Sequence, residues 1–329
     1  MKPSQTVIVS VGDTMLGGAA LPLIERDGWD APFGGVRELI GRGDLLLGNL
    51  EGPITEHDER LMPERKWAYK QDPCTADVFA QLGFDAFHLA NNHVIDYGAQ
   101  GLADTFESLD RVGIRHFGAG ANDQVAGEGI VVEKHGLRVG LIGWMQSYSA
   151  VNNGGGYATA DRPGVAKWNR LQVQASLARL RERCDLIIAS VHWGRNYRPI
   201  TGTQLIRARN LIDWGADIVN GHHPHVPHGI EIHRGKPIVY SLGNFVFGAP
   251  GRFGTKKGRP GYGLVAAYVV SESRVSRVEL DVIAVDNSRV DFRPVPVHAK
   301  EAGTALKDLT AFLGTTVSWE GTRAIINVS

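Results

Sequence analysis

Five short apolar runs in this sequence end in side chains that can bind a metal ion, and this pattern constrains the fold most strongly. The runs are VIVSVGD, LLLGNLE, AFHLANNH, LIIASVH and DIVNGHHPH; their polar ends are Asp13, Asn49, Glu51, Asn91, Asn92, His93, His192, His222, His223 and His225. In an open α/β sheet, ligands bind beyond the carboxyl ends of the strands. One such residue usually caps a helix or closes a turn, but five independent strands that end in this way predict one shared site.

The donor atoms of these residues narrow the choice of metal. Carboxylate, amide and imidazole ligands without thiolate suit Zn, Mn, Fe or Ni better than calcium, which prefers oxygen alone. The sequence has two cysteines, Cys74 and Cys184, without a CxxC spacing, which excludes a zinc ribbon, an iron–sulfur protein and a disulfide scaffold. In HPH, Pro224 is expected to hold His223 in extended dihedrals, so that a rigid turn points both histidines inward.

Apolar runs of strand type alternate with segments of helical period, which predicts an α/β fold. The expected strands are Val7–Val11, Leu45–Leu47, Ala86–Leu89, Arg138–Ile142, Leu186–Val191 and Ile218–Val219. The expected helices are Val36–Ile40, Ala76–Leu82, Leu102–Val112, Leu171–Arg183, Leu205–Trp214 and a closing helix near Ala302–Leu313. We interpret residues 1–329 as a single domain, with a mainly α/β half over 1–228 and a mainly β half over 229–329, where turns are expected at His233–Lys236 and Asn287–Ser288.

Composition excludes several classes of partner. The 35 basic residues balance the 35 acidic ones, so the chain has no global electrostatic attraction for nucleic acid or an anionic membrane. No signal-peptide core and no apolar stretch of about 20 residues is present. A soluble, cytoplasmic protein is therefore expected, and its oligomeric state stays open.

Six motifs, VGDTMLGG, GNLEGPIT, LANNHVIDYG, VHWGRNY, GHHPHVPHGIE and YSLGNFVF, occur in the order found in CapA-like proteins. The chain thus resembles this family, which is named for poly-γ-glutamate capsule synthesis and belongs to the calcineurin-like metallo-dependent phosphatases. The resemblance runs from about Val7 to Phe247. It implies a four-layer α-β-β-α sandwich with a metal site at the edges of its two sheets.

The resemblance also assigns roles to individual residues. The matching positions for metal ligands are Asp13, Glu51, Asn92, His192, His223 and His225. His93 matches a histidine that acts as a general acid beside the asparagine ligand, and Asp96 is placed to orient it. For binding of a substrate, the sequence offers Arg195, Tyr97 and Trp193.

The sequence departs from the superfamily at its first motif. The usual DxH is Asp13-Thr14-Met15 here, so one histidine ligand is missing, and the bridging aspartate is replaced by Glu51. One site would keep Glu51, Asn92, His192 and His223, whereas the other would keep Asp13, Glu51 and His225. We therefore predict one tight divalent site and a weaker second one, which weakens the case for two-metal phosphoester hydrolysis.

Three functions are compatible with such a site: metal-dependent hydrolysis of a phosphoester or amide, proton abstraction at a carbon acid, and a non-catalytic role in poly-γ-glutamate synthesis. Some CapA-like proteins of lasso-peptide biosynthesis invert Cα of the precursor peptide's last residue, and the degraded DxH motif favours that group. We therefore expect an epimerase whose partner is a precursor peptide. His93 would be one acid/base group, and Asp13 or, second, His298 would serve the opposite face.

Overall fold

The structure is a computed structural model that describes residues 5–253, 261–311 and 315–328. The strands are β1 (Thr6–Met15), β2 (Leu45–Leu50), β3 (Ala86–His88), β4 (Arg115–Phe117), β5 (Ala119–Gly120), β6 (Ile130–Lys134), β7 (Leu137–Met145), β8 (Gly164–Val165), β9 (Leu186–His192), β10 (Ile218–His222), β11 (Ile230–His233), β12 (Lys236–Val239), β13 (Asn244–Phe247), β14 (Tyr262–Ser271), β15 (Arg274–Ala284), β16 (Val295–Pro296), β17 (Ser318–Glu320) and β18 (Arg323–Asn327). The α-helices are α1 (Leu21–Asp27), α2 (Arg37–Ile40), α3 (Thr75–Gln81), α4 (Gly98–Arg111), α5 (Asp123–Gly127), α6 (Ser149–Asn153), α7 (Arg170–Arg181), α8 (Gly202–Asp213), α9 (Asn287–Val290) and α10 (Ala299–Ala311).

Most strands belong to two sheets. The larger sheet runs β17-β18-β15-β14-β1-β2-β3-β4, with β13 beside β1 and β16 beside β15. The smaller sheet runs β11-β12-β10-β9-β7-β6. Strands β1 to β4 are parallel to one another, as are β7, β9, β10 and β12. Residues beyond 228 add strands to both sheets, so the two halves of the chain share one framework.

The two sheets pack face to face and helices cover their outer faces. A buried apolar cluster between the sheets joins Ile8 and Leu47 of the larger sheet to Leu141, Ile188 and Ile218 of the smaller one. A second cluster packs helices such as α3, α7 and α8 against the other faces. The four-layer sandwich implied by the sequence is confirmed. Among the described residues, no helix is both long and apolar enough to cross a bilayer.

Local sequence explains several of these elements. Every residue of β2 and of β9 is buried, as expected for central parallel strands that are covered on both faces. Helix α8 begins with a capping box, in which Thr201 and Gln204 each bond the other's backbone amide. Helix α7 begins at Asn169, whose side chain accepts hydrogen bonds from two amides of the first turn.

The expected strands and helices are all present, but several have different limits. Strand β1 continues to Met15 and carries Asp13 within it, because β13 pairs with β1 at this point. The expected turn at Asn287–Ser288 is wrong: both residues belong to the short helix α9, whose amide at Ser288 is capped by the Asp286 side chain. The closing helix starts earlier, at Ala299; Phe312 and Leu313 lie outside the described residues.

The close approach of β1 to the residues before β13 fixes the position of Asp13. The Asp13 amide donates to the Gly243 carbonyl oxygen at 2.9 Å. A Cβ atom on Gly12 would lie 2.0 Å from that same oxygen. Glycine is therefore needed at this position because any side chain would push the two segments apart.

We expect Gly12→Ala to destabilise the fold by about 1–3 kcal/mol, because overpacking forces the backbone to move. The measurement is the thermal midpoint of unfolding, Tm. Gly202→Ala is the matched control, since a Cβ on this helical glycine meets nothing within 4 Å; it should leave Tm unchanged or raise it slightly. Equal Tm values for the two variants would contradict this account.

Candidate metal centre

The structure brings the six predicted ligands together where the two sheets meet. Two groups of side chains have ligand atoms within 4.8 Å of one another, and Glu51 belongs to both. The first group is Glu51, His192 and His223; the second is Asp13, Glu51 and His225. Asn92 adjoins the first group, and all of these residues are buried. The larger sheet supplies the carboxylates and the amide, whereas the smaller sheet supplies the histidines.

In the first group, donor atoms from four side chains converge. His192 Nε2 lies 2.6 Å from Asn92 Oδ1, 3.0 Å from His223 Nδ1 and 3.7 Å from Glu51 Oε1. Burial lowers the pKa of His192 and of His223 well below the usual range. Both imidazoles are therefore neutral and have a lone pair to offer, which is the form that binds a metal.

In the second group, His225 lies between two carboxylates. Its Nδ1 is 3.3 Å from Asp13 Oδ2 and its Nε2 is 3.9 Å from Glu51 Oε1. The Asn244 side-chain oxygen is 2.8 Å from the same Nδ1, so Asn244 helps to orient the ring. Burial would raise the pKa of Asp13, but hydrogen bonds and charges from His222 and His225 outweigh it and lower that pKa well below its usual range.

Glu51 provides the test of whether these residues fit a cation. Its carboxylate is fully buried, and neither oxygen has a hydrogen-bond partner among the described residues. Burial raises the pKa of Glu51 well above its usual range, and the nearby charge of Asp13 raises it further. An ionised carboxylate in such a place is very costly unless a positive charge compensates it. A divalent cation shared by the two groups meets that need, so the residues fit a metal.

Met15 occupies the position of the missing histidine. It is fully buried, and its side chain packs near Gly17, Gly18 and Gly52. His222, a possible replacement ligand, has Nδ1 3.5 Å from Asp13 Oδ1. It lies at the end of β10 and is not in either ligand group.

The turn that carries His223 and His225 differs from the sequence expectation. Both residues have positive φ angles, 96° and 59°, so the prediction of ordinary extended dihedrals for His223 is wrong. Non-glycine residues in this region cost of the order of 1–3 kcal/mol. The ring contacts of His223 with His192 and of His225 with Phe247 hold the turn in place.

Beside the ligands, His93 and Asp96 form a buried pair. His93 Nδ1 lies 2.6 Å from Asp96 Oδ2. Because a carboxylate can only accept, Nδ1 carries the hydrogen and Nε2 of a neutral ring is free to take a proton. Burial lowers the pKa of His93, although the charge of Asp96 and its hydrogen bond act in the opposite direction.

A cavity of about 90 Å³ opens over His93 and His225. Four of its other lining residues are aromatic, namely Trp67, Tyr69, Tyr197 and Phe247, and the rest are Asn196, Ala249, Pro250, Gly251 and Arg252. The Arg252 guanidinium lies 5.3 Å from the centre of the Tyr197 ring. No ion pair involves Arg252 within residues 5–253, 261–311 and 315–328, which leaves a cation facing an apolar cavity.

The remaining sequence candidates lie elsewhere. Arg195 is exposed, and Trp193 is fully buried with its indole N–H bonded to the Tyr240 carbonyl. Tyr97 is buried before α4, and Lys70 lies over its ring. His298 is exposed before α10, where its carbonyl accepts the Ala302 amide.

Sequence reasoning did not assign a role to three of the residues that line the cavity, Trp67, Tyr69 and Arg252. Trp67 and Tyr69 come from a segment without regular structure, and Arg252 comes from a loop after β13. None of them shows a period or a motif. The one available signal was the clustering of aromatic and basic residues in ERKWAYK, at Glu64–Lys70.

Comparison with known proteins gives one family and one fold. Residues 7–249 match the family described as bacterial capsule synthesis protein PGA_cap. The chain is 30% identical over 245 residues to the capsule biosynthesis protein CapA of Bacillus anthracis, covering 72% of this chain and 58% of that protein. It is 31% identical over 272 residues to a probable polyglutamine synthesis accessory protein of Mycobacterium tuberculosis, covering 80% and 71%. The match thus spans less than two thirds of the Bacillus protein.

Two solved structures share the fold at low sequence identity. A phosphatase from Mycoplasma pneumoniae has a TM-score of 0.54 at 15% identity, covering 86% of this chain and 94% of that one. The calcineurin-like phosphoesterase YfkN of Bacillus subtilis has a TM-score of 0.50 at 14% identity, covering 87% and 92%. The calcineurin-like metallophosphatase fold expected from the sequence is confirmed.

The shared carboxylate predicts opposite effects of Glu51→Gln with and without metal. In the presence of a chelator, the variant should have a Tm equal to or above that of the wild type, because the amide replaces a buried carboxyl group whose ionised form is costly there. With metal at 100 times its dissociation constant, the wild type should gain about 2.7 kcal/mol, and the variant should gain little. Exposed Glu56 provides the control variant, Glu56→Gln. A full metal-dependent gain in Glu51→Gln would refute the assignment of Glu51.

The position of Met15 predicts the metal content. We expect the wild type to retain about one tightly bound metal per chain after gel filtration, measured by elemental analysis. Met15→His should raise this number, because it completes the second group, whereas Met15→Leu should not. Two tightly bound metals in the wild type would show that Asp13, Glu51 and His225 suffice.

Proposed function

This chain belongs to the PGA_cap family of bacterial capsule synthesis proteins, and we propose that it works as a metal-dependent acid/base enzyme on the carboxyl end of a peptide. The reaction is inversion at Cα of the last residue, and the substrate is a ribosomally made precursor peptide of the lasso type. The peptide is the expected partner, and the cytoplasm is the expected compartment.

The cavity over His93 is the observation that carries this proposal. It brings together a histidine oriented by Asp96, the candidate ligand His225, several aromatic side chains and Arg252, which forms no ion pair with another described residue. A guanidinium can bind the carboxylate at the end of a peptide, and the aromatic rings can pack against an apolar side chain beside that carboxylate. A phosphate-binding site usually contains several cationic side chains. Here Arg65 is already paired with Asp96, so a phosphate would have fewer cations than usual.

The protein's own groups can move the proton. A divalent ion held by Glu51, Asn92, His192 and His223 would supply Lewis acidity at a substrate carboxyl or carbonyl oxygen. His93 Nε2 accepts the Cα proton, the electron pair of the broken C–H bond passes into the carbonyl group, and Asp96 stabilises the imidazolium that forms. A proton then returns to the opposite face. Substrate and product have the same composition, so no oxidant or reductant is needed.

The second proton carrier is proposed to come from the cavity wall. Asp13, the first sequence candidate, accepts hydrogen bonds at Oδ1 from Asn49 and at Oδ2 from the His223 amide. The exposed His298 belongs to neither ligand group. Tyr197 lies on the His225 side of the cavity, with ring centroids 5.4 Å apart, and offers a phenol there.

Hydrolysis is the second candidate, and one observation favours it. The two ligand groups adjoin one another and share Glu51, which is the arrangement that two-metal hydrolases use to stabilise the attacking and leaving oxygens. The substrate would then be a phosphoester or an amide. Poly-γ-glutamate, the polymer for which the CapA-like proteins are named, would present carboxylates to the same cavity.

One experiment separates these reactions. Peptides ending in an L or a D residue, poly-γ-glutamate and a phosphoester are incubated with the protein and added metals in deuterated water, and the products are analysed by mass spectrometry and chiral chromatography. We expect one deuterium at Cα together with inversion and without cleavage. His93→Gln should slow this reaction by about 10²- to 10⁴-fold, whereas the exposed His135→Gln should not.

Other products would exclude epimerisation. Cleavage of the peptide or release of phosphate, without deuterium at Cα, would establish the hydrolase. Inversion at the wild-type rate in His93→Gln would show that His93 takes no part in proton transfer.

A further inference from the structure

The Asp96 carboxylate joins three separate parts of the site. One oxygen lies 2.6 Å from His93 Nδ1 and accepts the Tyr69 amide at 2.8 Å, and the other accepts from the Arg65 guanidinium at 2.7 Å. The Asp96 carbonyl also accepts the Leu61 amide at 2.9 Å. The Asp96 side chain is 1% exposed. The residue that orients His93 therefore also binds the segment from Leu61 to Tyr69.

Arg65 bonds to two neighbours of the catalytic histidine at once. The guanidinium nitrogen that donates to Asp96 also donates to the Asn92 carbonyl oxygen, again at 2.7 Å. Asn92 is a proposed metal ligand and immediately precedes His93. Charge-assisted bonds of this length are among the stronger ones in proteins. Arg65 thus ties the ligand loop and the orienting carboxylate to each other.

The segment that Arg65 belongs to forms one wall of the cavity. It contains turns and bends but no helix or strand, so individual hydrogen bonds such as those to Asp96 hold it in place. It carries Trp67 and Tyr69 to the cavity, and the Tyr69 ring lies 4.3 Å from the His93 ring. Loss of the bonds to Asp96 would release both the wall and the histidine.

We propose that Arg65 is a positioning residue, which holds Asp96 in the orientation that directs His93 into the cavity and docks the wall formed by Trp67 and Tyr69. The inference rests on the proposed function in one respect, namely that His93 moves protons. Its geometry does not depend on which reaction takes place. A buried ion pair by itself is weak evidence that a residue stabilises the fold. The role of Arg65 is therefore tested through the hydrogen bond between His93 and Asp96.

The first test measures the hydrogen bond between His93 and Asp96 directly, without substrate. The full chain, labelled with ¹⁵N-histidine and loaded with zinc, should show a downfield imidazole N–H proton from the His93–Asp96 hydrogen bond, assigned by its loss in His93→Gln. In Arg65→Met, which keeps the apolar stem, this signal should shift upfield or disappear into exchange with water. Arg65→Lys should restore it in part. Arg60 is exposed and immediately precedes the segment from Leu61 to Tyr69. As the control, Arg60→Ala should leave the N–H signal unchanged.

The activity assay provides the second readout. Arg65→Met should lower the rate of deuterium exchange at Cα by about 10- to 100-fold, as loss of an orienting partner does at other sites, while bound metal stays near the wild-type amount. If the Met variant does not fold, the Lys variant decides by the same two measurements. A folded Arg65→Met protein with an unchanged N–H signal and rate would overturn the proposal.

The two proposals fail in different ways. If the wild type exchanges no deuterium with any substrate, the proposed function fails, but the N–H signal still tests Arg65. If exchange occurs and the signal is insensitive to Arg65→Met, the function stands and the positioning role is wrong.

Discussion

A buried carboxylate without a hydrogen-bond donor is the constraint on which this site depends. Glu51 is fully buried, faces the negative charge of Asp13 and reaches both ligand groups. Removing such a charge from water is costly, and no donor within the part of the chain that the structure describes offsets it. A divalent cation would compensate the charge of Glu51, and the surrounding imidazoles and the Asn92 oxygen would bind the same cation. The centre is therefore a polar cluster that needs its ion, within a fold whose apolar core is already closed.

This constraint explains why the ligands come from both sheets. Glu51 follows β2 and Asn92 follows β3, whereas His192 ends β9 and His223 follows β10. Each ligand group thus combines oxygen donors of the larger sheet with imidazoles of the smaller one. The apolar layer between the sheets holds the two sets at a fixed distance. Packing of the sandwich therefore places the ligands, and distortion at the junction of β1 and β13 should affect both the packing and the metal centre.

The chemistry beside the metal depends on loops rather than on the sheets. His93 receives its direction from Asp96, and Asp96 in turn is held by Arg65 and the Tyr69 amide. Trp67 and Tyr69 then line the cavity, which Arg252 completes from another loop. The residues that could hold a cation therefore come from the sheets, whereas these loops form the cavity over His93.

The sequence by itself determined the central strands and the α/β class, because buried parallel strands have a recognisable apolar pattern. It also indicated a shared cluster of candidate ligands, since these strands end in residues with metal-binding donor atoms. Its expectation for His223 was wrong, since the Pro224 rule describes local sterics and the ring contacts around His223 override it. Only the tertiary structure decided that Arg252 rather than Arg195 lines the cavity, and that Arg65 meets Asp96 31 positions away. Contacts between aperiodic loops leave no local pattern in a sequence, because they depend on how distant segments pack.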